Sequence, residues 1–156
     1  VDVGYGQLDW KIRSDPRVVT MERTNIRHVT PDQFPEPFSL AVIDVSFISL
    51  KLVLPKVREL LTTDGEVIAL VKPQFEAGRE QVGKKGVVRD PNVHFSILHD
   101  LLIYVKPIGF TPAGLNYSPV KGPEGNIEFL LFLSPIAEAK LPDLEALVEE
   151  AHIRTV

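Results

Sequence analysis

The sequence contains no cysteine. That absence excludes a disulfide framework and any thiolate metal site, and it makes a reducing cytoplasm the default compartment. Long apolar runs are lacking too. None approaches the roughly 20 residues a membrane helix needs, and the opening VDVGYGQLDW has neither the basic n-region nor the apolar h-region of a secretory signal. A soluble protein with no membrane partner is expected. Positive charge is not in excess: the formal net charge is −4, so nucleic acid can be attracted only by a local basic patch or by another part of the polypeptide. GYGQLD also lacks the third glycine of a dinucleotide-binding loop, so Gly4 and Gly6 read as a turn rather than a phosphate cradle.

What is present suits one ordinary domain, since 156 residues with 44% hydrophobic content can bury a sizeable core. Extended and helical patterns alternate, which is the order that builds parallel sheets. VDV and RVVTME read as strands on either side of a short QLDWKIR helix. Pro31, Pro35 and Pro37 make residues 30–37 a loop or at most a single helical turn. SLAVIDV reads as a central strand, because Leu40 to Ile43 are apolar without alternation. Leu50, Val53, Leu54, Val57, Leu60 and Leu61 fall at helical spacing. Pro55 fits best in a first turn, so Leu50 to Leu54 are expected to form a separate turn before PKVRELLT, with Asp64-Gly65 as the stop. EVIALVK is the next strand, and PQFEAGREQVGKKGVVRD is a long loop of the kind that usually serves a function. Asp90-Pro91 reads as N-cap and first position of a helix whose buried stripe is Val93, Ile97, Leu101 and Val105. FTPAGLNYS and NIEFLLFLS form an antiparallel hairpin, and residues 141–153 an amphipathic helix.

Three of the apolar runs carry one ionisable residue at an end: Asp44 after SLAVI, Lys72 after EVIALV, and Glu128 near the start of NIEFLLFL. If the first two are parallel and the third is antiparallel to them, all three residues lie on one rim of the sheet, where open α/β sheets bind ligands. A single Asp or Lys at a strand end is more often a cap or a surface ion pair. Three on one rim favour chemistry. The loop residues Arg79, Lys84, Lys85 and Arg89 are candidate phosphate contacts, with a merely solvated surface as the competing reading. His94 and His99 are five positions apart on one helix and do not share a metal-binding face, so both read as structural. Trp10 reads as a packing residue.

The segments VDVGYGQLDWKIRSDPRVVTMERTNIR, IDVSFISL, LVKPQFEAGREQVGKKGVVRDP and SPVKGPEGNIEFLLFL, in that order, resemble the TlyA family of FtsJ-like rRNA 2′-O-methyltransferases, which also carries the name haemolysin. The resemblance runs from Val1 to about Pro135 and leaves residues 136–156 as a helical tail. It implies a Rossmann-like sheet that uses S-adenosylmethionine, mostly parallel with an antiparallel last strand, acting on ribosomal RNA or a ribosomal subunit and needing no metal. The family's catalytic set is Lys-Asp-Lys-Glu. Asp44, Lys72 and Glu128 match its last three members, which makes Lys72 the base or alkoxide stabiliser and the two carboxylates its holders. Asp2, Asn25, Ile26 and Asp44 match positions that line the cofactor.

The family's first lysine, its glycine-rich cofactor loop, the strand before that loop and its S4-like RNA-binding domain have no counterpart in this sequence. The sheet is therefore expected to be incomplete at its N-terminal side, with unpaired backbone or a collapsed pairing between VDV and SLAVIDV, and the chain alone to be inactive. Two readings from other classes stand beside this one. A membrane-active haemolysin is disfavoured by the acidic tail residues Glu145, Glu149 and Glu150. A noncatalytic nucleotide-binding domain would use VDVGYG to open its site.

Overall fold

In the computed structural model, which describes residues 1–137 and 139–156, four strands form one sheet in the order β1-β2-β4-β3. They are β1 (Phe38–Ile43), β2 (Leu61–Val71), β3 (Thr111–Tyr117) and β4 (Phe129–Ser134). β1 and β2 are parallel, while β4 is antiparallel to both β2 and β3. Three strands therefore run one way and the last runs against them, as expected, and β3 with β4 makes the expected hairpin.

β1 is an edge strand, not a central one. Of its six residues only Ile43 is buried, and Leu40 and Val42 are 51% and 73% exposed. An unbroken apolar run signals two covered faces only where neighbours cover them, and here the outer side of β1 opens on a groove of about 670 Å³ walled by Val19, Met21 and Ile26. VDV and RVVTME are not strands either. They meet through Asp2 N–H to the Met21 carbonyl, Thr24 N–H to the Asp2 carbonyl and Arg23 N–H to the Gly4 carbonyl. This irregular pairing has no sheet neighbour to extend it into a ladder. Gly4 and Gly6 lie in bends, Gly6 with φ +68. Helix α1 (Trp10–Arg13), capped by the Asp9 carboxylate, buries no side chain. Trp10 is consequently exposed, contrary to its reading as a packing residue.

Helix α2 (Leu50–Leu60) runs unbroken through Pro55, so the expected separate turn does not exist. Proline at that point removes the amide that would bond the Lys51 carbonyl, a cost of about 3 kcal/mol in an unaided helix interior. The Tyr104 hydroxyl donates to that carbonyl at 2.7 Å instead. α2 ends at Leu60, ahead of Asp64-Gly65, which lies where the pairing of β1 with β2 slips its register.

After β2 come a single helical turn α3 (Pro73–Glu76) and the long loop. Helix α4 (Pro91–Tyr104) then begins with the Asp90 carboxylate accepting from the Asn92 amide at 2.8 Å. Its Val93, Ile97, Leu98 and Leu101 pack with Val71, Phe129 and Leu131 of the sheet in one apolar cluster. Helix α5 (Leu144–Arg154) adds Leu147, Val148 and Ala151 to that cluster and lies on α4. At the α4–α5 contact His94 Nδ1 is 2.9 Å from His152 Nε2, and His94 is fully buried. His99 is exposed beside Asp100.

Candidate active site

Asp44 follows the last residue of β1 and Lys72 the last of β2. Because these strands are parallel neighbours, paired Ile43 to Ala69, both residues leave the sheet on the same rim. Val71 faces Phe129 in the antiparallel pairing of β2 with β4, so Glu128, one residue before Phe129, comes opposite Lys72. The topology alone gathers the three.

Lys72 Nζ lies 2.6 Å from Asp44 Oδ1 and 3.1 Å from Ser46 Oγ. The Lys72 side chain is only 12% exposed and Asp44 is 70% exposed. The lysine is thus not the open rim residue that a strand end suggests, but an enclosed ammonium reached from solvent past a hydrated carboxylate. Glu128 makes no ion pair with it at contact distance among the described residues. Its carboxylate is buried, and Oε1 has no hydrogen-bond partner among those residues. Burial raises the Glu128 pKa above the ordinary carboxylate value; the charge of Lys72 works against that shift and the charge of Asp44 with it. Gly122 lies against this carboxylate so closely that a Cβ there would overlap it.

Two loops frame the pair. In the loop after Asp44, Phe47 has φ +62, is 89% exposed, and sets its ring 4.9 Å from that of Phe75 in α3. A left-handed backbone at a bulky residue is costly and concentrates at functional sites. Glu76 joins the same two loops: its carboxylate accepts from Ser49 Oγ at 2.6 Å and from the Leu50 amide at 2.8 Å, at the start of α2. Burial raises the Glu76 pKa, and these two hydrogen bonds oppose the rise. Ser46, Phe47 and Glu76 were not visible as site residues from sequence. Their only signal is nearness to Asp44 and Lys72 in the chain.

The remaining candidates scatter. Ile26 and Asp44 both line the groove beside β1. Asp2 and Asn25 do not line it: the Asp2 carboxylate accepts from the Gly4 amide at 2.7 Å, and Asn25 Oδ1 accepts from the Arg27 amide at 3.0 Å. Arg79, Lys84, Lys85 and Arg89 are all exposed on the loop after α3. Among the described residues no helix is long and apolar enough to cross a membrane, and no three His, Asp or Glu side chains cluster as metal ligands.

Comparison with known proteins gives this geometry a family. The profile of the FtsJ-like methyltransferase family matches residues 1–134. The chain is 54% identical to the putative rRNA methyltransferase YqxC of Bacillus subtilis, across 97% of this chain and 57% of that protein. It is 46% identical to the 16S/23S rRNA (cytidine-2′-O)-methyltransferase TlyA of Mycobacterium tuberculosis, across 85% of this chain and 49% of that protein. Among solved structures, a putative hemolysin from Streptococcus thermophilus superposes with a TM-score of 0.88 at 44% identity, covering 97% of this chain and 56% of that one. The chain spans about half the length of the curated relatives it matches. With the profile covering all four strands of the sheet and relatives this similar, the chain belongs to the FtsJ-like methyltransferase family.

Proposed function

We propose that the protein methylates a ribose 2′-hydroxyl of ribosomal RNA, using S-adenosylmethionine, and that Lys72 handles the hydroxyl proton. The observation that carries the reading is the Lys72 ammonium, enclosed and held by Asp44 and Ser46 on the rim where Glu128 also lies. An ammonium has three N–H groups. With two directions engaged by the Asp44 carboxylate and the Ser46 hydroxyl, the third is left for a substrate oxygen. Lys72 as the neutral amine aims its lone pair along that direction, takes the 2′-hydroxyl proton as the methyl group transfers and becomes the ammonium whose charge Asp44 balances. As an ammonium it instead donates its third N–H to the developing alkoxide, the proton leaving to solvent. The Glu128 carboxylate, buried on the same rim, is near enough to Lys72 for the two charges to interact.

S-adenosylmethionine, when bound, supplies the methyl group already activated on a sulfonium. The chain's residues fit such a ligand on one side. The exposed Asp44 carboxylate at the mouth of the β1 groove suits a cationic centre, and Ile26 supplies an apolar wall. Phe47, an exposed ring held by Phe75 beside the rim, offers a stacking face to an unpaired base. Arg79, Lys84, Lys85 and Arg89 supply phosphate contacts.

The test is transfer of a labelled methyl group by the full-length protein to ribosomal RNA transcribed in vitro, followed by ribose mapping of the product. Label on a 2′-oxygen, lost in Lys72→Ala, supports the reading. Leakage of liposomes without methyl transfer would favour a membrane-active protein instead.

A further inference from the structure

Asn126 is buried at 1% exposure, and its amide is spent entirely on backbone far away in sequence. Oδ1 accepts from the Val88 amide at 3.0 Å and Nδ2 donates to the Gly86 carbonyl at 2.9 Å. Both partners belong to the hairpin-like end of the basic loop, which is closed by the Gly83 amide on the Val87 carbonyl at 3.0 Å and anchored by buried Val87 and Val88. Lys84 and Lys85 sit at its tip, Lys85 with φ +64. On its other side Asn126 belongs to the loop that carries Glu128. The Asn126 carbonyl accepts from the Gly122 amide at 2.9 Å, and Gly122 is the residue against which the Glu128 carboxylate lies. One buried side chain thus joins the basic loop to the loop that shapes the Glu128 pocket.

We propose that Asn126 is a positioning residue that locks the basic loop to Glu128, so that a nucleic-acid backbone gripped at Lys84 and Lys85 keeps a fixed offset from the rim of Asp44, Lys72 and Glu128. The proposal rests on the methyltransferase reading for the identity of the ligand and on the two side-chain hydrogen bonds for the coupling. The geometry leaves little substitute for asparagine. A side chain that both accepts from an N–H and donates to a carbonyl two residues apart needs one oxygen and one NH₂ at a short, fixed reach, and losing either leaves a buried backbone group unsatisfied. Without the staple the lysines keep their charge but lose their place. Charge that is free to wander contributes less to binding than charge held in register.

The experiment is a double-mutant cycle in the full-length protein, read as affinity for unmethylated ribosomal RNA, with Asn126→Ala on one arm and Lys84→Ala/Lys85→Ala on the other. Each arm is expected to weaken binding about fivefold to tenfold, and the combination by no more than twice the stronger arm, because lysines on an unheld loop have little left to lose. Multiplying effects would overturn the proposal. Amide exchange supplies a second reading: Val88 is expected to exchange at least tenfold faster in Asn126→Ala, and an unchanged rate would also overturn it. Should Asn126→Ala fail to fold, Asn126→Asp takes its place in the same cycle with the same two outcomes, since it keeps the acceptor for Val88 and loses the donor to Gly86. Neither reading uses turnover. A wild-type protein that transfers no methyl group would defeat the methyltransferase reading while the cycle and the exchange rate still decide the role of Asn126.

Discussion

Lys72 Nζ stands 3.1 Å from the Ser46 hydroxyl, a contact between the loops that follow two neighbouring parallel strands. Together with Asp44 it fixes how the ammonium is turned. Lys72→Ala should therefore reduce methyl transfer by the full-length protein to background. Lys72→Arg should do nearly as much, because a guanidinium does not release a proton near neutral pH. Ser46→Ala is expected to slow single turnover by on the order of tenfold, since Asp44 still holds the lysine. Lys72→Ala and Ser46→Ala should each cost no more than about 1 kcal/mol of stability, because Asp44 stays hydrated. Wild-type single-turnover rates in Lys72→Ala would exclude it from proton transfer.

The Tyr104 hydroxyl replaces the amide that Pro55 lacks. Tyr104→Phe should destabilise the fold by about 1 kcal/mol, the net worth of one buried hydrogen bond to a carbonyl left otherwise unpaired. In a Pro55→Ala background, where residue 55 donates its own amide to Lys51, the same change should cost less than half as much. Urea denaturation of the four proteins measures the coupling. Equal costs in both backgrounds would mean that the hydroxyl is not compensating for proline.

Acid should loosen the α4–α5 contact. Burial, helped by His152 at 2.9 Å, brings the His94 pKa down to about 4, against the opposing effects of a Val88 backbone hydrogen bond and the Asp90 charge. His152 is lowered mainly by burial, with Lys121 adding to the effect and Asp90 opposing it. A histidine whose folded pKa lies below its unfolded value contributes stability that is whole above about pH 6.5 and is lost as pH falls toward the folded value. Wild-type protein should lose on the order of 2 kcal/mol between pH 7 and pH 5 from this group. His94→Leu should flatten that slope. The raised pKa values of Glu76 and Glu128 act with the opposite sign, so the difference between the two proteins is the quantity to measure.

Cofactor affinity tests what the chain can do by itself. Asp2 and Asn25 spend their side chains on their own turns, and Ile26 and Asp44 furnish only part of one groove. Calorimetry on this chain alone should detect S-adenosylmethionine binding weaker than about 100 μM or none. Low-micromolar binding would show that the groove beside β1 is a complete cofactor site.

The rim was legible in the sequence because period and order sufficed. Apolar runs around a helix imply parallel strands, PVKGPEG is short enough for a hairpin, and those two facts bring Asp44, Lys72 and Glu128 to one edge. What escaped depends on neighbours. The run from Leu40 to Ile43 looks the same whether or not a strand covers its outer side, so β1 read as central. VDV and RVVTME have strand-like composition and no sheet to join. His94 and His152 meet across two helices whose packing no local pattern announces, and the lone Pro55 gave no hint that a distant tyrosine would stand in for its amide. Phe47 carries no sequence signal because its left-handed backbone belongs to the fold, not to the residue type.

Gly122 has φ −72 and ψ −176, an extended conformation open to every residue type. Its glycine is therefore dictated by space rather than by torsion. Alanine at position 122 would have to displace the Glu128 carboxylate, while the neighbouring Gly125, with open room around it, is strained by any side chain because of its φ of +91. Anyone redesigning this loop by backbone geometry alone would protect Gly125 and overlook Gly122, and would find out only when the buried carboxylate of Glu128 had been pushed out of its seat.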